Sequence, residues 1–211
     1  MKLYQSVGPN PRVATMFIAE KGLAIERVWI DIQGGENREA GYLAKNPQGG
    51  TPTLELDDGS YLPDSMAICE YLEELFPADP LIGATPADRA ATRKMARWVD
   101  HQIVVPMVSG FRSAEGLPMF KDRMLCIAEA ADANKAYARD GLAKADAILG
   151  SGDYLTGARF TLADILLFCF VEFGAMVGQP IPAGLDSLGA WRARIAARSS
   201  SAISADPKNG L

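Results

Sequence analysis

The 211-residue chain has a single histidine and three cysteines. Cys69, Cys126 and Cys169 are far apart and none sits in a C-x-x-C pair. An odd, unpaired count points to a reducing compartment and a cytoplasmic location. One histidine argues against zinc sites built from several His or Cys ligands, so no metal is expected. A Ser-His-Asp hydrolase would have to use His101, which lies in an amphipathic stretch with no nucleophile motif near it. The plain reading of His101 is a helix-surface histidine. There is no basic excess: 21 Lys and Arg face 26 Asp and Glu, a net charge of −5. That argues against nucleic-acid binding. No apolar run is long and uncharged enough to span a membrane, since the most apolar one, 162–178, is broken by Asp164 and Glu172 and reads as a buried core helix. The opening residues, MKLYQSVGPNPR, contain no apolar core of a secretory signal.

What is present is 48% hydrophobic and 22% charged, the composition of an ordinary globular protein. At roughly 150 residues per domain, the length allows one large or two small domains. The first third alternates in type. Strands are expected at 2–5, 26–31, 53–56 and 60–62, and helices at 11–21, 38–44 and 65–76. A strand–helix–strand start implies a parallel pair with a right-handed crossover, and Asp58-Gly59 implies an antiparallel hairpin. Residues 77–86, PADPLIGATP, form the best linker. Beyond it the chain reads helical: 87–110, one long or kinked helix with Pro106 near its end, then 123–149, 161–177 and 185–197. Residues 199–211 are polar and expected to be loose. The domains are therefore placed at 1–78 and 86–211.

Three discontinuous segments could carry chemistry. Ser6-Val7-Gly8-Pro9-Asn10-Pro11-Arg12 joins a strand to a helix, where small residues let backbone N–H groups face a ligand. Asn46-Pro47-Gln48-Gly49-Gly50-Thr51-Pro52 enters a strand, and its proline leaves Thr51 without a regular ladder partner. Asp64-Ser65 opens a helix, where either side chain can cap and the N-terminus attracts an anion. Each also has a purely structural reading as a turn or a cap. Thr161-Leu162-Ala163-Asp164 is a capping box that starts the core helix, with Phe160 as a possible staple.

Taken in order, the LY strand, NPxGxTPxLE, DG…LxDSxAIxxYLE and GARFTLADI resemble the cytosolic glutathione transferase superfamily. The likeness is strongest over residues 1–76 and good at 153–165. It implies a thioredoxin-like α/β N-terminal domain with a small mixed sheet, an all-helical C-terminal domain and a homodimer. It also implies glutathione as co-substrate and a small hydrophobic electrophile as second substrate. Carried over by position, Thr51 would bind the cysteinyl part of glutathione through its backbone, and Pro52 would be a cis proline. Asp64 and Ser65 would hold the γ-glutamyl end. Asp64 is one methylene shorter than the Glu or Gln common there. Gly50 stands where relatives often have Lys, so Asn37 or Arg38 would contact the glycyl carboxylate instead.

The catalytic position offers Ser6 and Asn10. Asn10 falls where the bacterial beta class has its cysteine and where nu-like members have a functional asparagine. An Asn amide can donate to a sulfur anion. Lowering a thiol pKa from ~8.5 by two units needs about 2.7 kcal/mol, within reach of one or two such bonds plus a helix dipole. The structural reading of Asn10 is an Asx turn or N-cap before Pro11, and both readings stay open. The electrophile site is expected on the first helix of the second domain, at His101, Val104, Met107, Val108 and Phe111. Met and aromatic residues at that spacing also read as core. The resemblance implies a glutathione transferase. A glutathione-dependent disulfide or peroxide reductase and a non-catalytic binding module on the same fold are the alternatives. The Ser-Ser-Cys-type turn of zeta-like isomerases is absent.

Overall fold

The computed structural model describes residues 1–150, 152–206 and 208. The chain forms two compact units, Met1–Leu81 with Ala196–Leu211, and Ile82–Ile195.

The first unit is a four-stranded sheet with helices. Its elements are β1 (Lys2–Gln5), α1 (Pro9–Glu20), β2 (Glu26–Trp29), α2 (Ala40–Leu43), β3 (Thr53–Glu55), β4 (Tyr61–Pro63) and α3 (Ser65–Leu75). The sheet order is β2-β1-β3-β4. β1 pairs parallel with β2, and β3 pairs antiparallel with both β1 and β4. This is the mixed sheet the punctuation implied, a βαβ crossover and then a hairpin turned at Asp58-Gly59, and it is the thioredoxin-like arrangement the resemblance implied. Helix α1 buries Val13, Ala14, Met16 and Phe17, and α3 buries Ile68, Cys69 and Leu72, alongside Leu3 and Leu54 of the sheet. Apolar positions three and four apart on each helix make those faces.

At the end of α1, Lys21 Nζ donates to the Glu73 carboxylate at 2.9 Å and to the Ala78 carbonyl at 2.6 Å. Glu73 also accepts the Leu81 N–H at 3.3 Å. This buried pair binds the start of the Pro/Gly-rich segment to the first unit. The unit therefore runs on to Leu81, past the residue 78 expected from composition.

The second unit is helical: α4 (Pro86–Val99), a π-helical turn at Asp100–Val104, α5 (Val105–Arg112), α6 (Leu117–Phe120), α7 (Ala131–Leu149), α8 (Leu162–Met176) and α9 (Asp186–Ala196). The π turn lies just ahead of Pro106, with Val105 N–H bonded to the Asp100 carbonyl. A proline cannot donate and crowds the preceding turn, so the helix widens there. Gly141 of α7 faces the widened turn, where a Cβ would stand 2.3 Å from the Gln102 carbonyl oxygen. Helix α8 is buried along most of its length, from Leu162 to Val171. None of the described helices is long and apolar enough to cross a membrane.

Two expectations are corrected. The helix expected over 123–149 begins only at Ala131. Met124, Leu125 and Ile127 are 40%, 87% and 52% exposed, so that stretch has no buried stripe to hold a helix despite its composition. Of the tail expected to be loose, 199–205 instead form α10 (Ser199–Ala205), packed on α1 in the first unit, while 207 and 209–211 lie outside the described residues. Arg198 donates to both Glu20 oxygens at 2.6 and 2.7 Å, and the Ser200 hydroxyl joins them. Burial pushes the Glu20 carboxyl up, but these donors outweigh it and hold it below its ordinary value.

Candidate functional site

The junction of β1 and α1 is built by glycine and proline. Gly8 is the N-cap with φ 126°, a conformation a side chain disfavours, and Pro9 opens the helix. A helix start normally presents four unpaired N–H groups. Pro9 and Pro11 have none, and Arg12 N–H bonds to the Gly8 carbonyl at 3.4 Å. In the first turn itself only the Asn10 N–H is left to face a ligand. The prolines thus remove donors that small loop residues were expected to supply. Asn10 is exposed and caps nothing: α1 has no side-chain cap, and the Asn10 amide makes no hydrogen bond among the described residues. Ser6 is the reverse case. It is 1% exposed, and its buried hydroxyl has no partner among the described residues.

The loop into β3 contains a cis Thr51-Pro52 bond. Its approach is clamped from behind. The Tyr42 hydroxyl donates to the Gly50 carbonyl at 2.6 Å and contacts the Thr53 hydroxyl at 3.1 Å. Asn46 Nδ2 reaches the same carbonyl at 2.9 Å. Burial holds the Tyr42 phenol above its ordinary value, keeping it a neutral donor. Asn37 is 5% exposed and gives its Nδ2 to the Gly49 carbonyl at 2.6 Å. It is therefore a loop clamp. Arg38 stays exposed and donates to the Gln48 carbonyl at 3.2 Å with one of its five N–H groups. Gly50 is exposed, and a Cβ there would meet only Asn46 Nδ2, at an ordinary 3.7 Å.

At the start of α3, Asp64 is the N-cap. Its Oδ1 accepts the Met66 and Ala67 N–H groups at 2.9 and 3.0 Å. Its backbone sits at φ 81°, ψ 124°. Such a conformation costs a non-glycine residue on the order of 1–3 kcal/mol and persists where the surroundings over-determine it. Ser65 follows at the first helical position, 4% exposed, with no hydrogen bond to its hydroxyl among the described residues.

In the second unit, His101 is exposed on the π turn. Val104 is 7% exposed and Met107 fully buried, its sulfur placed where a Cβ on Gly174 would be 3.0 Å away. Val108 and Phe111 are half-buried. The Phe111 ring stands edge-on to Phe120 at 6.1 Å and to Phe173 at 5.3 Å. Met107 is a core residue; Val108 and Phe111 keep accessible surface.

The clamping roles of Tyr42 and Asn46 were missed in the sequence, although Asn46 opens the NPxGxTP motif. Gly141 was missed too. A lone glycine inside an Ala-rich helical pattern was the available signal for a close backbone approach.

The family model for the glutathione S-transferase N-terminal domain matches residues 7–75, and that for the glutathione S-transferase C-terminal domain matches 118–199. The solved structure of a glutathione S-transferase domain-containing protein from Marinobacter aquaeolei VT8 superposes with a TM-score of 0.89 at 35% identity, covering 95% of this chain and 99% of its own. Glutathione S-transferase 2 of Saccharomyces cerevisiae is 29% identical over 200 residues, 92% of this chain and 84% of its own. Protein LigF of Sphingobium sp. is 30% identical over 239 aligned positions, 94% of this chain and 90% of its own. Matched at both domains and along nearly its whole length, this chain belongs to the glutathione S-transferase family.

Proposed function

We propose that the protein is a glutathione transferase that binds glutathione on the first unit, stabilises its thiolate and transfers it to a small electrophile. The Asp64–Ser65 corner is the observation that supports this best. A carboxylate held at a strained φ stands beside the Ser65 hydroxyl at a helix N-terminus, and that hydroxyl makes no hydrogen bond among the described residues. The γ-glutamyl end of glutathione carries an ammonium and a carboxylate side by side. The ammonium suits the Asp64 carboxylate, and the carboxylate suits the Ser65 hydroxyl and backbone N–H at the positive end of α3. The Thr51 backbone, clear of the sheet ladder, pairs with the cysteinyl amide, and Arg38 takes the glycyl carboxylate. Asn37 supports that loop from behind. Val104, Val108 and Phe111 supply the apolar contacts for the electrophile, with Met107 packed beneath them.

The thiolate falls to Asn10 rather than Ser6, because Asn10 is exposed with a free amide and Ser6 is sealed from solvent. Asn10 donates a hydrogen bond and takes no proton, so the thiol proton leaves to water. The sulfur then forms a bond to the electrophilic carbon as the leaving group departs with its electron pair. Titrating glutathione into the wild type and Asn10→Ala, with thiolate absorbance followed against pH, tests this. The bound thiol pKa should rise by about 1–2 units in the variant, which is one charge-assisted bond lost. An equal pKa in both proteins removes Asn10 from the mechanism, and no binding by the wild type removes the transferase reading.

Restoring a cation at position 50 is a second check. Gly50→Lys fits without a clash and should tighten glutathione about twofold to fivefold, the range of an exposed ion pair. The effect should vanish with a glutathione analogue whose glycyl carboxylate is amidated. The reading also includes a cytoplasmic homodimer. Leu75 and Phe76 on one unit and Tyr137 and Ile148 on the other, between 38% and 49% exposed, are surface such a dimer can cover. Light scattering on the purified chain checks it.

A further inference from the structure

We propose that the second unit is built for an electrophile that joins a flat aromatic body to an anionic group, with Arg112 as the contact for the anion. This rests on the transferase reading and names the substrate class for it. Val104, Val108, Phe111 and Arg112 recur at four, seven and eight residues along one helical run, so they share a face. Phe111 contacts the Phe120 and Phe173 rings edge-on. The Arg112 guanidinium lies over the Phe120 ring, 5.1 Å from its centroid.

Several arginines of the second unit, unlike Arg112, have a carboxylate partner among the described residues. Arg159, Arg192, Arg194 and Arg198 each pair with a carboxylate, Asp88, Glu172, Asp153 and Glu20 in turn. Arg112 is half-buried and pairs with none among the described residues. The nearest acid in sequence, Glu115, is committed to Lys135 at 2.5 Å. The titratable neighbour that acts on Arg112 is the Cys126 thiol, and burial lowers the guanidinium pKa. A charge withdrawn from water without a counterion is an unfavourable arrangement that a ligand anion would relieve. A guanidinium held over an aromatic ring by a cation–π contact keeps its N–H groups for a carboxylate or sulfonate. The phenylalanine cluster alongside offers the ring of the same ligand edge-to-face contacts.

The test compares a chlorodinitrobenzoate with its neutral carboxamide. In both, the glutathione sulfur bonds to the ring carbon, the carbon–chlorine bond breaks and chloride leaves. The wild type should favour the carboxylate in kcat/KM. Arg112→Gln should cut that preference by about tenfold to a hundredfold, the range for a charge-assisted hydrogen bond, and Arg112→Lys should keep part of it. Lys121→Gln and Arg123→Gln, exposed cations nearby, should shift it less than about twofold because solvent screens them. The unreactive dinitrobenzoate, titrated without glutathione, should bind Arg112→Gln more weakly by the same factor. Equal losses for the carboxylate and the carboxamide would assign Arg112 to packing and overturn the proposal. So would undiminished dinitrobenzoate binding by Arg112→Gln. Arg112-dependent dinitrobenzoate binding with no turnover of either substrate would uphold the anion site and overturn the transferase reading instead.

Discussion

Asp164→Ala is expected to destabilise the protein by about 4 kcal/mol, a large part of the 5–15 kcal/mol that holds a typical domain folded. Asp164 is fully buried at the start of α8. Its Oδ1 accepts the Leu155 N–H at 2.9 Å and the Trp191 Nε1–H at 3.0 Å. Its Oδ2 accepts the Thr161 N–H and the Thr161 hydroxyl, both at 3.0 Å. Burial lifts the carboxyl above its ordinary value, and the four donors offset part of that rise. Alanine leaves three buried N–H groups unpaired, each costing about 1–3 kcal/mol, with water entry recovering some of the loss. It also removes the Trp191 bond that ties α9 to the cap, leaving α9 its bonds to Asp146 and Glu172. The melting temperature should fall by about 8–16 °C, at roughly 2–4 °C per kcal/mol for a chain of this size. Asp164→Asn should fall between: it keeps the acceptor for Leu155 and Trp191 but turns an NH2 toward the Thr161 N–H. A drop under about 1 kcal/mol for alanine would mean that the box is replaced by water and carries little of the fold.

That capping box was legible in the sequence because its chemistry is local, two side chains three residues apart. The βαβ start and the hairpin were legible for the same reason, through the alternation of periodic runs and Asp58-Gly59 as punctuation. What was not legible depends on distant partners. Helix α10 has a serine-rich sequence with no apolar stripe, and its anchor is Glu20, 178 residues from Arg198. The 123–130 stretch has helical composition but nothing to bury. Within the candidate site, the motifs located the loops but could not rank the residues on them. The resemblance favoured Asn10 by position and kept Ser6 as the other candidate, and burial separates them. Asn37 and Arg38 are adjacent, yet one turns into the loop and the other out of it. The separation follows from which way each backbone turn points a side chain, and no local pattern encodes it.

Ser65→Ala is expected to weaken glutathione binding by about tenfold to a hundredfold while leaving stability within about 0.5 kcal/mol of the wild type. Two observations force those effects apart. The Ser65 hydroxyl makes no hydrogen bond among the described residues, so its removal breaks nothing in the free protein. The cap of α3 is Asp64, whose bonds to the Met66 and Ala67 N–H groups survive the substitution. An uncommitted hydroxyl at a helix start is a donor open to an incoming ligand. The ligand's carboxylate, which loses its own water on binding, needs that donor. The strained φ of Asp64 fits the same logic, since the corner is shaped for the ligand at some expense to the free chain. Calorimetric titration with glutathione beside a thermal melt reads both quantities on one sample. Unchanged affinity would make Ser65 a helix-start residue and no more. A fall in stability matching the loss of affinity would show that the hydroxyl supports the fold, and the corner would then lose its claim as the γ-glutamyl site.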